Sequence, residues 1–229
     1  MKTVFFTVVA TLVASVGVHA QITWAAAQPY TGTAADISTA GTFVAGVYEN
    51  GSASGAPIAV GSMSFDLSSD SHIAGPGYGG GDGSGSTATP YLQILDGCTY
   101  VNVVPQGSPS GVSQVNTFTL QNLAAGDLYQ VQVWNVTGYG GANNANGRET
   151  ILSGTNTGDL VGSDFVLGTF TAGAGSTSFT MQGIPGGYYG EVDAVALRDL
   201  GAAPEPSTFA MLFSGVGALV LVARLRRMA

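Results

Sequence analysis

His72 is the single histidine between residues 21 and 203, so a serine or cysteine nucleophile in that stretch would have to use it as its base. It sits in Ser69-Asp-Ser-His-Ile73 beside a glycine-rich stretch, the setting of a solvated turn. No G-x-S-x-G elbow occurs; Gly51-Ser-Ala-Ser-Gly55 places Ala53 where the nucleophile belongs. Cys98 is the only cysteine, which excludes an intrachain disulfide. Its apolar neighbours, from Leu95 to Val101, predict a small buried hydrophobe. Zinc held by histidine and cysteine would need more of both. Paired carboxylates for glycoside hydrolysis stay open, with Glu149, Glu191 and Asp193 the first acids to examine. No motif supports them, so no catalytic residue is assigned and the expectation is a protein that is not an enzyme.

Oxygen ligands are plentiful, which makes calcium the one cofactor candidate. Asp82-Gly-Ser-Gly-Ser86 alternates oxygen-bearing residues. However, Gln93 stands where an EF-hand loop has its bidentate glutamate, and Gly79-Gly-Gly-Asp82 lacks the nonapeptide repeat of β-rolls. A plain loop is the simpler reading, and no metal ligands are assigned. A sugar site needs an aromatic face with amides and carboxylates around it. Two stretches supply these: Trp134 through Tyr139, Asn143, Arg148 and Glu149, and Gly186-Gly-Tyr188-Tyr189-Gly-Glu191. Tyrosine and tryptophan offer apolar area at low entropic cost, and a planar guanidinium forks onto hydroxyls. The competing reading puts Trp134 in the core and the tyrosines in ordinary surface turns.

The elements that would hold these residues are strands. Glycine makes up 35 of 229 residues and clusters at 75–85, 138–147 and 183–190. Between the clusters, apolar residues alternate with period two, and β-branched and aromatic types dominate. Strands are predicted at 22–25, 42–48, 58–67 with a break at Gly61, 91–95, 100–104, 115–121, 128–136, 149–153, 165–171, 176–182 and 191–199. Phe118 and Leu120 face one way in the first strand of the clearest unit; Tyr129, Val131 and Val133 do so in the second, with Gln130 and Gln132 facing out. Gly126 marks the turn between them, and 166–171 with 176–181 forms a second such pair. The class is all-β, an antiparallel β-sandwich. Its ordering resembles the jelly-roll modules of the galactose-binding-like and carbohydrate-binding kind, which by itself licenses no function.

Both ends of the chain read as addresses. Lys2, the apolar run 4–18 and Val18-His19-Ala20 describe a signal peptide over residues 1–20, cut between Ala20 and Gln21. The sandwich follows at 21–200, then a linker at 201–206 and an uncharged run at 207–223. That run makes a helix of roughly 25 Å, the short end of a transmembrane span. Arg224, Arg226 and Arg227 in the tail 224–229 stop transfer and stay cytoplasmic. Without the addresses, residues 21–203 carry Arg148 and Arg198 against 13 carboxylates, a net charge of −11. A domain without lysine has no basic patch, so nucleic acid is excluded as a partner.

Pro204-Glu205-Pro206, the apolar run and the arginines, in that order, resemble the PEP-CTERM sorting signal of Gram-negative bacteria. The resemblance covers residues 203–229 only. It implies a precursor in the inner membrane with its domain outside, and an exosortase-type processing enzyme as partner. It further implies a mature form in the cell envelope, at the cell surface or in the extracellular matrix, associated with exopolysaccharide. The alternative is an ordinary single-pass anchor with a proline-rich stalk.

Overall fold

A computed structural model describes residues 21–49, 56–77, 87–104, 110, 112–136, 150–152, 160, 164–184 and 189–203. In chain order the strands are β1 (Thr23–Trp24), β2 (Gln28–Pro29), β3 (Thr42–Tyr48), β4 (Ile58–Val60), β5 (Met63–Leu67), β6 (Ile73–Ala74), β7 (Thr99–Val104) and β8 (Val112–Ser113). They continue with β9 (Val115–Leu120), β10 (Asp127–Asn135), β11 (Thr150–Leu152), β12 (Asp164–Thr171), β13 (Thr177–Gly183), β14 (Tyr189–Val192) and β15 (Ala194–Ala202). One short helix, α1 (Pro90–Gln93), and a 3-10 turn at Ala34–Asp36 complete the described elements. The expected signal peptide and membrane span lie outside the described residues. Among those described, no helix is long and apolar enough to cross a membrane.

The large sheet runs β1-β12-β10-β15-β3-β5-β4, with β2 also on β12. A second sheet, β11-β13-β9-β6, packs over it, and a third, β14-β7-β8, completes the sandwich. All pairings are antiparallel except β3 with β5. The two units expected as hairpins are instead arches between sheets. β9 pairs with β13 and β10 with β12, so each connection, 121–126 and 172–176, crosses the core. Alternation says which face of a strand is apolar, and both arrangements bury the same residues. Phe118 stacks on Phe179 with centroids 5.1 Å apart, and Tyr129 on Phe170 at 5.7 Å. Gly168 of β12 is the close-packed point of this layer, because a Cβ there would lie 2.5 Å from Ile22 and 2.6 Å from the Trp24 ring.

The large sheet is also covered on its other face. Tyr48, Phe65, Trp134, Phe165, Ala194 and Ala196 form a second core with Ile37, Tyr91, Ile94 and Leu95. This is why Val131–Val136 and Ala194–Leu197 are buried at every position rather than alternately. Gln132, expected to face out, is 2% exposed. Its amide donates to the Asp36 carbonyl at 2.7 Å and accepts from the Ser38 N–H at 2.9 Å. The predicted strand 91–95 is the helix α1 and the residues just after it. Thr89 caps it by accepting the Leu92 N–H at 3.2 Å, with Pro90 in the first turn. Tyr91, Ile94 and Leu95 have the spacing of one helical face, a signal that their apolar character hid.

Candidate functional site

Three places in the fold gather residues of chemical interest. The first is the upper end of the sandwich, where β3, β10, β11 and the β14–β15 junction meet. Thr150 is its knot: its hydroxyl accepts from the Glu191 N–H at 2.6 Å and from the Asn135 amide at 3.1 Å, and donates to the Glu191 carbonyl at 2.8 Å. Asp193 accepts the Val136 N–H at 2.6 Å, and its own carbonyl accepts the Glu49 N–H at 2.9 Å. Glu49 accepts the Ser68 hydroxyl at 2.8 Å, while its second oxygen and one of Asp193 meet no donor among the described residues. Burial pushes the Glu49 carboxyl up to about 7. Burial, reinforced by the charge of Glu191, holds Asp193 well above the usual carboxylate range.

Arg198 relieves neither. It is the only lysine or arginine among the described residues, and it donates to the carbonyls of Ala40 and Gly41 under the Phe43 ring. Glu191 and Asp193 are 1% and 0% exposed. Carboxylates that attack a glycosidic bond must meet the sugar; the Asp193 carboxylate is turned onto the Val136 N–H, and Glu191 is tied to Thr150 through its backbone N–H and carbonyl. Glu149 lies outside the described residues. Among the described residues no three His, Cys, Asp or Glu side chains gather to hold a metal ion, and the Asp82 stretch is outside them.

The second place is the outer face of β14-β7-β8. Tyr189 lies opposite Asn102, and Val104 opposite Val112. The Tyr100 and Tyr189 rings meet edge to face with centroids 5.5 Å apart. Tyr100 is 37% exposed, Val104 59% and Val112 73%. Of the residues expected to bind a ligand, Tyr189 is thus placed on an accessible aromatic face. Tyr100, which the sequence reading passed over as strand, is its partner. Trp134 is not part of it. The indole is fully buried and its N–H donates to the Tyr91 hydroxyl at 3.1 Å, which donates to Asp36 at 3.0 Å. Trp134 is a core residue because the back face of the large sheet is covered. Tyr139, Asn143, Arg148 and Tyr188 lie outside the described residues. His72 sits in the expected turn, its N–H donating to Asp70 at 2.6 Å, and Cys98 is buried. An apolar cavity of 330 Å³ between the 32–34 loop, Gly61 and Tyr91 offers little polar chemistry. The Thr89 hydroxyl on its wall already caps α1.

The third place is the lower end, where the chain leaves the fold. β15 continues through Ala202, opposite Asp127. The Ala203 N–H then donates to the Gly126 carbonyl at 3.1 Å. Gly126 holds a φ of +92°, which favours glycine, and its N–H donates to Ala172. Residues 201–203, expected in a linker, therefore belong to the sheet or are tied to it. The PEP-CTERM protein-sorting motif matches residues 202–227, starting inside this strand. The chain carries a PEP-CTERM sorting signal. Pro204, Glu205, Pro206, Arg224, Arg226 and Arg227 all fall within it, beyond the described residues. A PEP-CTERM signal is what exosortase-type enzymes recognise, and it marks an exported protein whose precursor is membrane-anchored. No curated protein and no solved structure matches the chain.

Proposed function

We propose that residues 21–203 form a non-catalytic component of the cell envelope or exopolysaccharide matrix, delivered through its PEP-CTERM tail. The observation that carries this reading is the continuity of the signal with the last strand: the matched segment starts at residue 202, and β15 ends there. The signal is thus joined to the sandwich itself. The burial of Glu191 and Asp193 supports a non-catalytic role. Signal-peptide cleavage after Ala20 and tail removal at Pro204-Glu205-Pro206 are parts of the same proposal. Intact mass spectrometry of the protein from its producing cells checks it. The expected mass starts at Gln21 and ends near Pro206. Mature material running through Ala229 would leave a plain membrane anchor.

A second reading, binding of an uncharged polysaccharide, is favoured by the Tyr100–Tyr189 pair on a sheet face where Val104 and Val112 are exposed as well. A domain of net charge −11 repels acidic glycans, whereas tyrosine rings accept the apolar face of a neutral sugar. Tyr100→Ala and Tyr189→Ala are each expected to weaken retention on the producer's neutral exopolysaccharide about tenfold, with little change in stability. Equal retention of both variants and the parent, in affinity electrophoresis, would remove this site.

A further inference from the structure

The sorting signal has no spacer. Ala202 is paired with Asp127, and Ala203 is tied to Gly126. Around that tie the Ala172 N–H donates to the Asp127 carbonyl at 2.8 Å, and the Gly126 N–H to the Ala172 carbonyl at 2.8 Å. The first residue of the signal therefore belongs to the sheet and to the address at once, and the second is tied to the sheet through Gly126. Pro204 comes next and has no N–H with which to continue the ladder.

A processing enzyme holds its substrate as an extended strand and pairs with the backbone itself. At residue 203 the N–H that such a cleft would engage is already given to the Gly126 carbonyl, just before β10. The tripeptide also follows Ala203 directly in sequence. On the β3 side the last partner pair is Asp199 with Thr42, so beyond Asp199 the strand is held from one side only. That end is where opening is easiest.

We propose that the folded domain restrains its own processing: the enzyme engages the tail only when residues 200–203 have peeled away from the Gly126 corner. This rests on the sorting reading above. Loss of one or two ladder bonds, each worth about 1 kcal/mol net, leaves the peeled form a minor species. Tail removal is then slowed about fivefold to thirtyfold relative to an unrestrained signal.

The test uses the full-length precursor in its producing cells, followed by pulse-chase. A six-residue Gly/Ser spacer between Ala203 and Pro204 leaves every described hydrogen bond in place. It is expected to speed tail loss about fivefold to thirtyfold. Cysteines introduced at the paired positions, Asp127→Cys with Ala202→Cys, tie the strand end down once oxidised. That precursor is expected to persist, to be processed on reduction, and to regain the fast rate when it also carries the spacer. Equal rates for parent, spacer and oxidised variants would overturn the restraint. A control separates this from failure of the underlying reading: residues 202–229 fused through the same spacer to an unrelated exported domain. If that fusion keeps its tail, the sorting reading falls. If it loses the tail while spacer and cross-link change nothing in the parent, sorting stands and the restraint is wrong.

Discussion

Trp134→Ala is expected to lower the unfolding free energy of the sandwich by about 3–5 kcal/mol, the range for emptying a buried aromatic site. The indole is 0% exposed, lies 6.5 Å from the Phe165 ring and donates to Tyr91. Removing it opens a void in the core between the large sheet and α1. It also deprives Tyr91 of its bond to β10, leaving only the bond to Asp36 that ties α1 to the 31–36 segment. Trp134→Phe, which keeps most of the volume and loses the N–H, should be milder. Urea denaturation followed by far-ultraviolet circular dichroism measures both. A loss under about 1 kcal/mol for Trp134→Ala, within the ordinary range of single substitutions, would contradict a core role and return the indole to the surface.

Stability should fall as pH rises from about 4.5 to above 7, opposite to ordinary acid denaturation. The Glu49 carboxyl lies at about 7 in the folded chain against 4.5 for an unburied glutamate. The native state then holds a proton that the unfolded chain has released. Its stabilisation is complete below the unfolded value and is lost as pH passes through the folded one. The difference is worth about 3 kcal/mol at 1.36 kcal/mol for each tenfold step in proton affinity. Asp193, also raised by burial, acts in the same direction. Glu49→Gln removes the titrating proton, so its profile should lose that drop and lie above the parent at pH 8. Denaturant titrations of residues 21–203 between pH 4.5 and 8.5 decide the matter. A parent profile that rises with pH, or a Glu49→Gln profile as steep as the parent, would refute the assignment.

The sequence showed the strands well and their partners poorly. Thr42–Tyr48 emerges with the bounds that its alternation predicts, and the break at Gly61 falls where the chain turns with φ +64°. Alternation reports a face, however, and does not distinguish a hairpin from an arch, so β9 and β10 read as neighbours while they lie in different sheets. Nor could period two show that the large sheet is covered on both sides. For that reason Gln132 read as outward-facing and Trp134 stayed open between a ligand face and the core, although both are buried. The sorting tail was legible because its signal is compositional and contiguous. The Tyr100–Tyr189 pair was only half legible, since it joins residues 89 positions apart through the register of β7 and β14. The buried Glu49 carried no local signal: its burial comes from Ser68, Gly75 and the β15 junction, all distant in sequence.

The tie between Ala203 and Gly126 also sets a limit of reach. Pro204, Glu205 and Pro206 are all that separates it in sequence from the apolar run that begins at Ser207, and three residues span at most about 10 Å. β10, nine residues long, rises from Asp127 to Asn135 by roughly 27 Å. Were that run seated in a bilayer, the leash on the Gly126 corner would be shorter than the body it holds.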